Sequence, residues 1–138
     1  MMFLGLALSE GRGRGPVVAI PPLSFWGGYD VDTGRIIDRS HPGLGRVLVA
    51  KVLVMSAGRG SSSSSSVLAE AIRMATAPAA IVLAESDPIL AVGAIVAEAL
   101  YGRRCPIVVL APDDHVLVAS ATSADVRVED GQAQVFIP

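Results

Sequence analysis

An alternation of short apolar segments with helical patterns is the feature that most limits how this chain can fold. Three apolar segments rich in β-branched residues predict strands, over residues 46–55, 79–84 and 106–110. Two helical patterns lie between them, over residues 67–75 and 87–100. The first helix is expected to place Leu68, Ile72 and Ala75 inward. Asp87-Pro88 begins the second helix and Gly102 ends it. This order predicts an α/β fold with two main helices.

Both ends of the chain are predicted to be rich in strands. Near the N-terminus, residues 2–8 and 16–20 predict short strands, and the glycines and arginines between them, residues 9–15, predict a solvated turn. A phosphate-binding loop is the alternative for this turn, but no helix start follows it. Near the C-terminus, strands are predicted over residues 116–119, 125–129 and 132–137. Asp130-Gly131 joins the last two as a hairpin turn.

The composition predicts one folded domain that has a permanent partner. The 138 residues suit a single domain over 1–138. A chain of this size buries roughly 70% of the surface that its unfolded form exposes. With 51% hydrophobic residues, 17% charged residues and a mean hydropathy of +0.55, more apolar surface is available than one small core hides. We therefore expect another subunit to cover the remainder.

Charge and cysteine content narrow the partners and the compartment. The net charge is −2 and the arginines are scattered, so neither a nucleic acid nor a membrane is expected as a partner. Residues 1–8 lack the basic lead-in of a signal peptide, and the single cysteine, Cys105, cannot form an internal disulfide. A reducing cytoplasm is therefore the expected compartment. One cysteine and two histidines cannot build a metal site alone, so no metal ligand is assigned to this chain.

The long segment from Pro21 to Gly45 is predicted to be an ordered loop that contributes to a site. A loop of this length is either disordered or functional. Its apolar anchors favour order, and they are Leu23, Phe25, Trp26, Ile36 and Ile37. Trp26 is expected at an interface, with a place in the site lining as the lesser option. Elsewhere, Cys105 is expected to be a small buried residue and His115 a surface turn residue.

Six consecutive serines, Ser61 to Ser66, carry the strongest indication of chemistry. They follow Gly58-Arg59-Gly60 at a strand-to-helix turn, where the free N–H groups of a helix start point at a ligand. A flexible linker is the alternative on composition alone, and one serine can cap the helix in either case. The N–H groups, the helix dipole and the Arg59 guanidinium would stabilise a developing serine alkoxide, which makes proton abstraction feasible. The run has neither the Gly-x-Ser-x-Gly pattern of acyl transfer nor the lysine of a nucleotide loop.

Five ordered motifs together carry a resemblance to a known family. They are Leu-Ser-Phe-Trp-Gly-Gly-Tyr-Asp at 23–30, Ile-Asp-Arg-Ser-His-Pro at 37–42, Gly-Arg-Gly-Ser at 58–61, Ala-Pro-Ala-Ala-Ile-Val at 77–82 and Pro-Ile-Val-Val-Leu at 106–110. Between Pro16 and Leu110, the chain resembles the swivel domain of the aconitase X family. The resemblance implies a swivelling β/β/α domain with an open barrel-like mixed sheet and two main helices. It also implies docking on a large subunit that binds a 4Fe-4S cluster through three cysteines.

The activity implied by this resemblance is dehydration of (R)-5-phosphomevalonate to trans-anhydromevalonate 5-phosphate, a step in an archaeal mevalonate route to isoprenoids. In such a reaction, the open iron site acts as a Lewis acid on the leaving hydroxyl while a base removes the proton next to the carboxylate. By similarity to the Gly-Ser turn of the family, Ser61 is implied as the proton acceptor. The residues implied to support it or to bind substrate are Arg59, Gly60, Ser62, Gly27, Gly28 and His41.

Two alternatives stay open. Within the family, a cis-3-hydroxyproline dehydratase uses the same kind of domain, but the all-serine turn lacks the cysteine associated with such members and favours phosphomevalonate. From another class of function, a non-catalytic phosphocarrier or binding domain needs an exposed histidine in a glycine-rich or threonine-rich turn. His41, between Ser40 and Pro42, is the candidate for that role.

Overall fold

A closed seven-stranded barrel forms the centre of the computed structural model, which describes residues 1–138. Its strands are β1 (Met2–Ser9), β2 (Gly11–Ala19), β5 (Val52–Val54), β6 (Ala80–Leu83), β7 (Ile107–Val109), β8 (Ser123–Glu129) and β9 (Gln132–Phe136). Their spatial order is β1-β7-β6-β5-β2-β8-β9. The pairs between β2, β5, β6 and β7 are parallel, and the other pairs are antiparallel. The predicted α/β fold class is confirmed, and the sheet that was expected to be open closes because β1 pairs with β9.

Four helices and a small two-stranded sheet complete the structure. The helices are α1 (Phe25–Gly28), α2 (Ser64–Arg73), α3 (Pro88–Tyr101) and α4 (Pro112–Ala119). The small sheet pairs β3 (Tyr29–Asp30) with β4 (Arg35–Ile36) inside the loop that was predicted to be ordered. The two main helices are α2 and α3, each of which connects neighbouring parallel strands and packs against the other.

The strands separate two hydrophobic cores because successive side chains point to opposite faces of a sheet. On β5, Val52 and Val54 belong to a core inside the barrel together with residues of β8 and β9. Leu53 points outward instead and packs in a second core with α2 and α3. This second core fixes the two main helices against the parallel strands, and their N-terminal ends therefore meet at one edge of the sheet.

The glycine and arginine segment over residues 9–15 was predicted to be a turn, and that prediction is wrong. Strand β1 extends to Ser9, and strand β2 begins at Gly11 and pairs with β8 from Gly11 to Pro16. A Cβ atom on Gly13 would lie 1.9 Å from the carbonyl oxygen of Ala79, and one on Gly15 would lie 2.4 Å from that of Ala50. The glycines are therefore required where the backbone of β2 passes close to neighbouring segments.

The strand predicted over residues 46–55 is much shorter in the structure. Only Val52–Val54 belongs to β5, because Ala50 adopts a left-handed conformation with a φ of 58° and interrupts the extended backbone. Ala75 was expected on the inward face of the first helix and is exposed instead. It lies beyond the end of α2 and has a φ of 59°. Leu68 and Ile72 are buried as predicted.

The strand predicted over residues 116–119 is a helix. Helix α4 has Pro112 at its start and two acidic residues in its first turn, both of which favour a helix N-terminus. His115, predicted to lie on the surface, is buried with its Nε2 atom 3.0 Å from the Met55 carbonyl oxygen. Its place in α4 turns the imidazole toward the end of β5.

The boundaries of α3 and of the last hairpin agree with the sequence. Asp87 caps the start of α3, and Gly102 ends it with a φ of 65°. Asp130 and Gly131 both have positive φ values, 53° and 76°, as a tight hairpin turn requires. None of the helices combines the length and the apolar character needed to cross a membrane.

Candidate active site at the start of the two main helices

A small cavity lies where the N-terminal ends of α2 and α3 meet. Its volume is about 100 Å³, and it is lined by Leu23, Phe25, Gly58, Arg59, Gly60, Ser61, Ser64, Asp87, Ile89 and Leu90. Because α2 and α3 follow the parallel strands β5 and β6, the cavity lies at the carboxyl ends of those strands, where α/β folds usually bind ligands. It brings together Ser61, Arg59 and Gly60 from the predicted site.

Two glycines allow the turn before α2 to approach its neighbours. A Cβ atom on Gly58 would lie 2.3 Å from the Oδ2 atom of Asp87. Gly60 has a φ of 103°, and a Cβ atom there would lie 2.4 Å from the Oγ atom of Ser24. A larger residue at position 58 would displace Asp87 in the cavity wall, and one at position 60 would displace Ser24 in the neighbouring loop.

Ser61 lies at the mouth of α2 with its hydroxyl oxygen held in place. The Ser63 backbone N–H donates to the Ser61 Oγ atom at 3.1 Å, and the Ser64 N–H donates to the Ser61 carbonyl oxygen at 3.0 Å. The side chain is half-buried and lines the cavity. An amide donor at this oxygen and the positive end of the helix dipole both favour negative charge on it.

Sequence reasoning missed Ser64 as part of the cavity wall. It is buried, and its Oγ atom accepts a hydrogen bond from the Trp26 N–H at 3.1 Å, which ties the loop at α1 to α2. The signal was its place in the serine run at the strand-to-helix turn, where the sequence already predicted a site. Ser62 points to solvent outside the cavity, so its supporting role in the turn stays a prediction.

Asp87 also lines the cavity, although the sequence predicted it only as the start of a helix. Its Oδ1 atom accepts hydrogen bonds from the N–H groups of Ile89 and Leu90 at 3.0 and 3.2 Å. The carboxylate is thereby fixed in the wall of the cavity that Arg59 also lines, and no ion pair joins these two residues. The signal was its place after the next parallel strand, at the same edge of the sheet as the serine turn.

Arg59 also interacts with the loop from Pro21 to Gly45. Its backbone N–H donates to the Leu23 carbonyl oxygen at 3.2 Å. The hydrogen bonds from the Ser40 side chain and backbone lower the pKa of the Asp38 carboxyl below its usual range, and the positive charge of Arg59 adds a smaller effect in the same direction. Asp38 therefore stays ionised on the surface near Arg59.

His41 is buried under the loop and does not line the cavity. Its Nδ1 atom accepts a hydrogen bond from the Gly43 N–H at 2.8 Å, so the proton is on Nε2, which donates to the Pro21 carbonyl oxygen at 2.9 Å. Both ring nitrogens therefore hold the loop together, and a contact between His41 and a substrate stays a prediction.

Gly27 and Gly28 lie beside the exposed Trp26 and outside the cavity wall. Gly27 has a φ of 77°, and a Cβ atom there would meet nothing within 4 Å. Its turn conformation therefore favours glycine, and the space beside it is open. A close approach of this backbone to a substrate stays a prediction.

The residues of this chain do not fit an iron–sulfur cluster. Cys105 is buried, with its Sγ atom 3.5 Å from the Pro78 carbonyl oxygen. Burial raises the pKa of its thiol to about 12, which disfavours the thiolate that binds metal. No group of three histidine, cysteine, aspartate or glutamate side chains lies close enough together to hold a metal ion.

Comparison with known proteins relates the chain to several dehydratases. Cis-3-hydroxy-L-proline dehydratase of Pseudomonas aeruginosa is 47% identical over 125 residues, which are 88% of this chain and 22% of that protein. The phosphomevalonate dehydratase small subunit of Methanothermobacter thermautotrophicus is 50% identical over 91 residues, 65% of this chain and 70% of that subunit. The chain thus spans about a fifth of the first relative and most of the second.

A solved structure and a family description cover nearly the whole chain. The crystal structure of Thermococcus kodakaraensis aconitase X in its holo-form matches with a TM-score of 0.78 and 29% identity, over 99% of this chain and 98% of that chain. Residues 2–137 match the family described as the aconitase X swivel domain. The chain therefore belongs to the aconitase X swivel domain family.

Proposed function

We propose that this chain is the small subunit of a cytoplasmic hydro-lyase that dehydrates (R)-5-phosphomevalonate to trans-anhydromevalonate 5-phosphate, in the archaeal type of mevalonate pathway. The observation that carries this proposal is the position of Ser61, which lines the cavity and whose Oγ atom accepts a hydrogen bond from the Ser63 N–H at 3.1 Å. Relatives named as phosphomevalonate dehydratase small subunits support the choice of substrate.

In the proposed reaction, Ser61 removes the proton from the carbon next to the substrate carboxylate. The electrons of that C–H bond form the new double bond, and the bond between the neighbouring carbon and its hydroxyl breaks, so that one water is lost overall. A serine hydroxyl is a weak base by itself, and the Ser63 amide and the helix dipole would stabilise its anionic form. Arg59 would bind the substrate carboxylate or phosphate.

A second subunit would complete this site. The cavity walls supplied by this chain provide one basic side chain and one serine base, but no group that would bind the leaving hydroxyl as a Lewis acid. We place the 4Fe-4S cluster on a large subunit that forms a heteromer with this chain.

A second candidate substrate, cis-3-hydroxy-L-proline, is favoured by the pair of charges in the cavity. Arg59 and Asp87 line the same space without forming an ion pair with each other. An amino acid has a carboxylate for the guanidinium and an ammonium group for the carboxylate, whereas phosphomevalonate has no cationic group for Asp87 to bind. The 47% identity with a hydroxyproline dehydratase over 88% of the chain also supports this substrate.

No observation favours a phosphocarrier. Transfer of a phosphoryl group through histidine needs a ring nitrogen that faces solvent. His41 is only 6% exposed, and backbone groups of Gly43 and Pro21 occupy both of its ring nitrogens.

The test is an assay of the complex formed anaerobically with the cluster-bearing large subunit of the same organism. Both substrates are supplied at equal concentration, and the loss of one water is measured by mass spectrometry. We expect phosphomevalonate to be dehydrated faster, and Ser61→Ala to lower turnover by about 100-fold or more while the complex stays intact in gel filtration.

The matched control is Ser66→Ala, which removes a hydroxyl from the exposed part of the same serine run. This variant should keep normal turnover. Near-normal turnover of the Ser61→Ala complex would exclude Ser61 as the base, and faster dehydration of hydroxyproline would assign the second substrate. If the complex dehydrates neither substrate, both substrate assignments are wrong.

A further inference from the structure

On helix α3, the small apolar residues face the core and the large apolar residues face outward. A surface helix normally shows the reverse arrangement. The residues that face the core are mostly small, and they are Leu90, Ala91, Gly93, Ala94 and Ala97. The large residues face outward, with Val92 51% exposed, Ile95 52% exposed and Leu100 67% exposed. Val96 is also exposed, and these four residues together are called the α3 face below.

Close packing between α2 and α3 explains the small inward residues, but it does not explain the apolar residues of the α3 face. A Cβ atom on Gly93 would lie 2.6 Å from the Ser65 carbonyl oxygen, so α2 and α3 approach each other too closely for larger side chains. Nothing in this packing requires the opposite side of the helix to be apolar. A helix side that faces water normally carries polar and charged residues.

The α3 face carries no charge. The only charged residue on the helix is Glu98, and its carboxylate forms an ion pair with Arg104 at 2.8 Å. The four large aliphatic side chains of the α3 face lie on one side of the helix and form a contiguous apolar surface, and exposed surfaces of this kind mark interaction sites.

The α3 face begins at the cavity. Ile89 lines the cavity, and Val92 and Val96 follow it three and seven positions later on the same side of the helix. Trp26 is 58% exposed, and its backbone N–H donates to the Ser64 hydroxyl in the cavity wall. A protein that covers the cavity and the α3 face would therefore also find an exposed aromatic side chain attached to the cavity wall.

We propose that the α3 face is the docking surface for the large dehydratase subunit, which would present an uncharged apolar surface to it. The choice of this occupant depends on the proposed function, because that function requires a second subunit at the cavity. It is also supported by the Pseudomonas aeruginosa relative, in which the matched segment makes up 22% of a longer chain. A second copy of this chain would cover the face without adding any new type of group to the site.

The test measures binding of the full chain to the cluster-loaded large subunit of the same organism, without substrate, by calorimetry under anaerobic conditions. Val96→Lys places an ammonium group in the centre of the α3 face, and we expect its Kd to rise about 30-fold or more. The matched control is Val116→Lys on α4, where the native residue is 62% exposed and distant in sequence from the α3 face. We expect the Kd of this control to change by less than about threefold.

Because both residues are exposed, both variants should keep the far-ultraviolet circular dichroism spectrum of the native chain. An unchanged Kd for Val96→Lys, or equal weakening by the two variants, would overturn the assignment of the surface. If the free chain is a dimer that Val96→Lys dissociates, and the variant still binds the large subunit normally, the occupant is a second copy and the proposal is wrong.

Failure of the proposed function would give a different result. Tight binding that Val96→Lys weakens, in a complex that dehydrates neither substrate, would retain the docking surface and reject the reaction. If the native chain does not bind the large subunit, the docking surface is rejected.

Discussion

Removal of the Asp87 carboxylate tests what holds the cavity in shape. In Asp87→Ala, the Ile89 and Leu90 N–H groups lose the oxygen that accepts their hydrogen bonds at 3.0 and 3.2 Å. Replacement of such an N-cap residue by alanine costs about 1 kcal/mol of unfolding free energy, within extremes of about 0.5 and 2 kcal/mol. Pro88 still fixes the first helical residue, which favours the middle of that range.

The expected loss of about 1 kcal/mol corresponds to a fall in Tm of about 4 °C for a domain of this size. Thermal unfolding followed by circular dichroism measures that fall, and urea unfolding should show a midpoint lower by about 0.5 M with an unchanged m-value. Asp87→Asn is the matched control because its side-chain oxygen still accepts the two hydrogen bonds. Its unfolding free energy should stay within about 0.5 kcal/mol of the native value.

Two results would refute this account of the helix start. A native Tm for Asp87→Ala would show that the two hydrogen bonds contribute nothing to stability. Equal losses in Asp87→Ala and Asp87→Asn would show that the negative charge matters and the accepting oxygen does not. In the complex, Asp87→Asn should lower turnover of hydroxyproline more than that of phosphomevalonate if the carboxylate receives an ammonium group.

The remaining predictions concern three other residues, Gly13, Ser40 and Cys105. Gly13→Ala should destabilise the barrel by about 1 to 3 kcal/mol in urea unfolding, because its Cβ atom would overlap the Ala79 carbonyl oxygen at 1.9 Å; a native midpoint would contradict the close approach of β2. Ser40→Ala should raise the pKa of Asp38 toward its ordinary value of about 3.9, as followed by NMR titration of the carboxyl, since the largest cause of the lowered pKa is lost. Cys105, whose pKa burial raises to about 12, should react with a thiol reagent at pH 8 only when the chain unfolds, and labelling of the native chain at the rate of a free thiol would contradict that burial. Because the unfolded chain releases the thiol proton more readily, stability should also fall as the pH rises from the ordinary thiol value toward 12.

Local chemistry allowed several parts of this fold to be predicted from the sequence alone. Asp87-Pro88 and Gly102 define the ends of α3 because a capping carboxylate, a proline at the first position and a left-handed glycine each act within one helical turn. Asp130-Gly131 defines a hairpin for the same reason, since both residues accept positive φ. The serine turn with Arg59 and Gly60 was also located, because it lies between a predicted strand and a predicted helix.

Predictions from the sequence were wrong where the conformation or burial of a residue depends on contacts with atoms that are distant in the sequence. Gly13 and Gly15 belong to a strand because of the carbonyl oxygens of Ala79 and Ala50, which the local sequence does not reveal. His115 is buried because α4 turns it toward Met55, sixty residues away along the chain. The short apolar run over residues 116–119 predicts a strand but forms part of α4, because the periodicity of so short a run does not distinguish a strand from a helix.

The sequence by itself determined the alternation of β5, α2, β6, α3 and β7, the two well-capped ends of α3, and the position of Ser61 at a helix start, because each of these depends on neighbours within a few residues. Only the tertiary structure decided that the sheet closes through β1 and β9, that Asp87 joins Ser61 in one cavity, and that the large residues of α3 point outward. These features depend on how separate elements pack, and the close contact between α2 and α3 at Gly93 is what turns the large side chains away from the core.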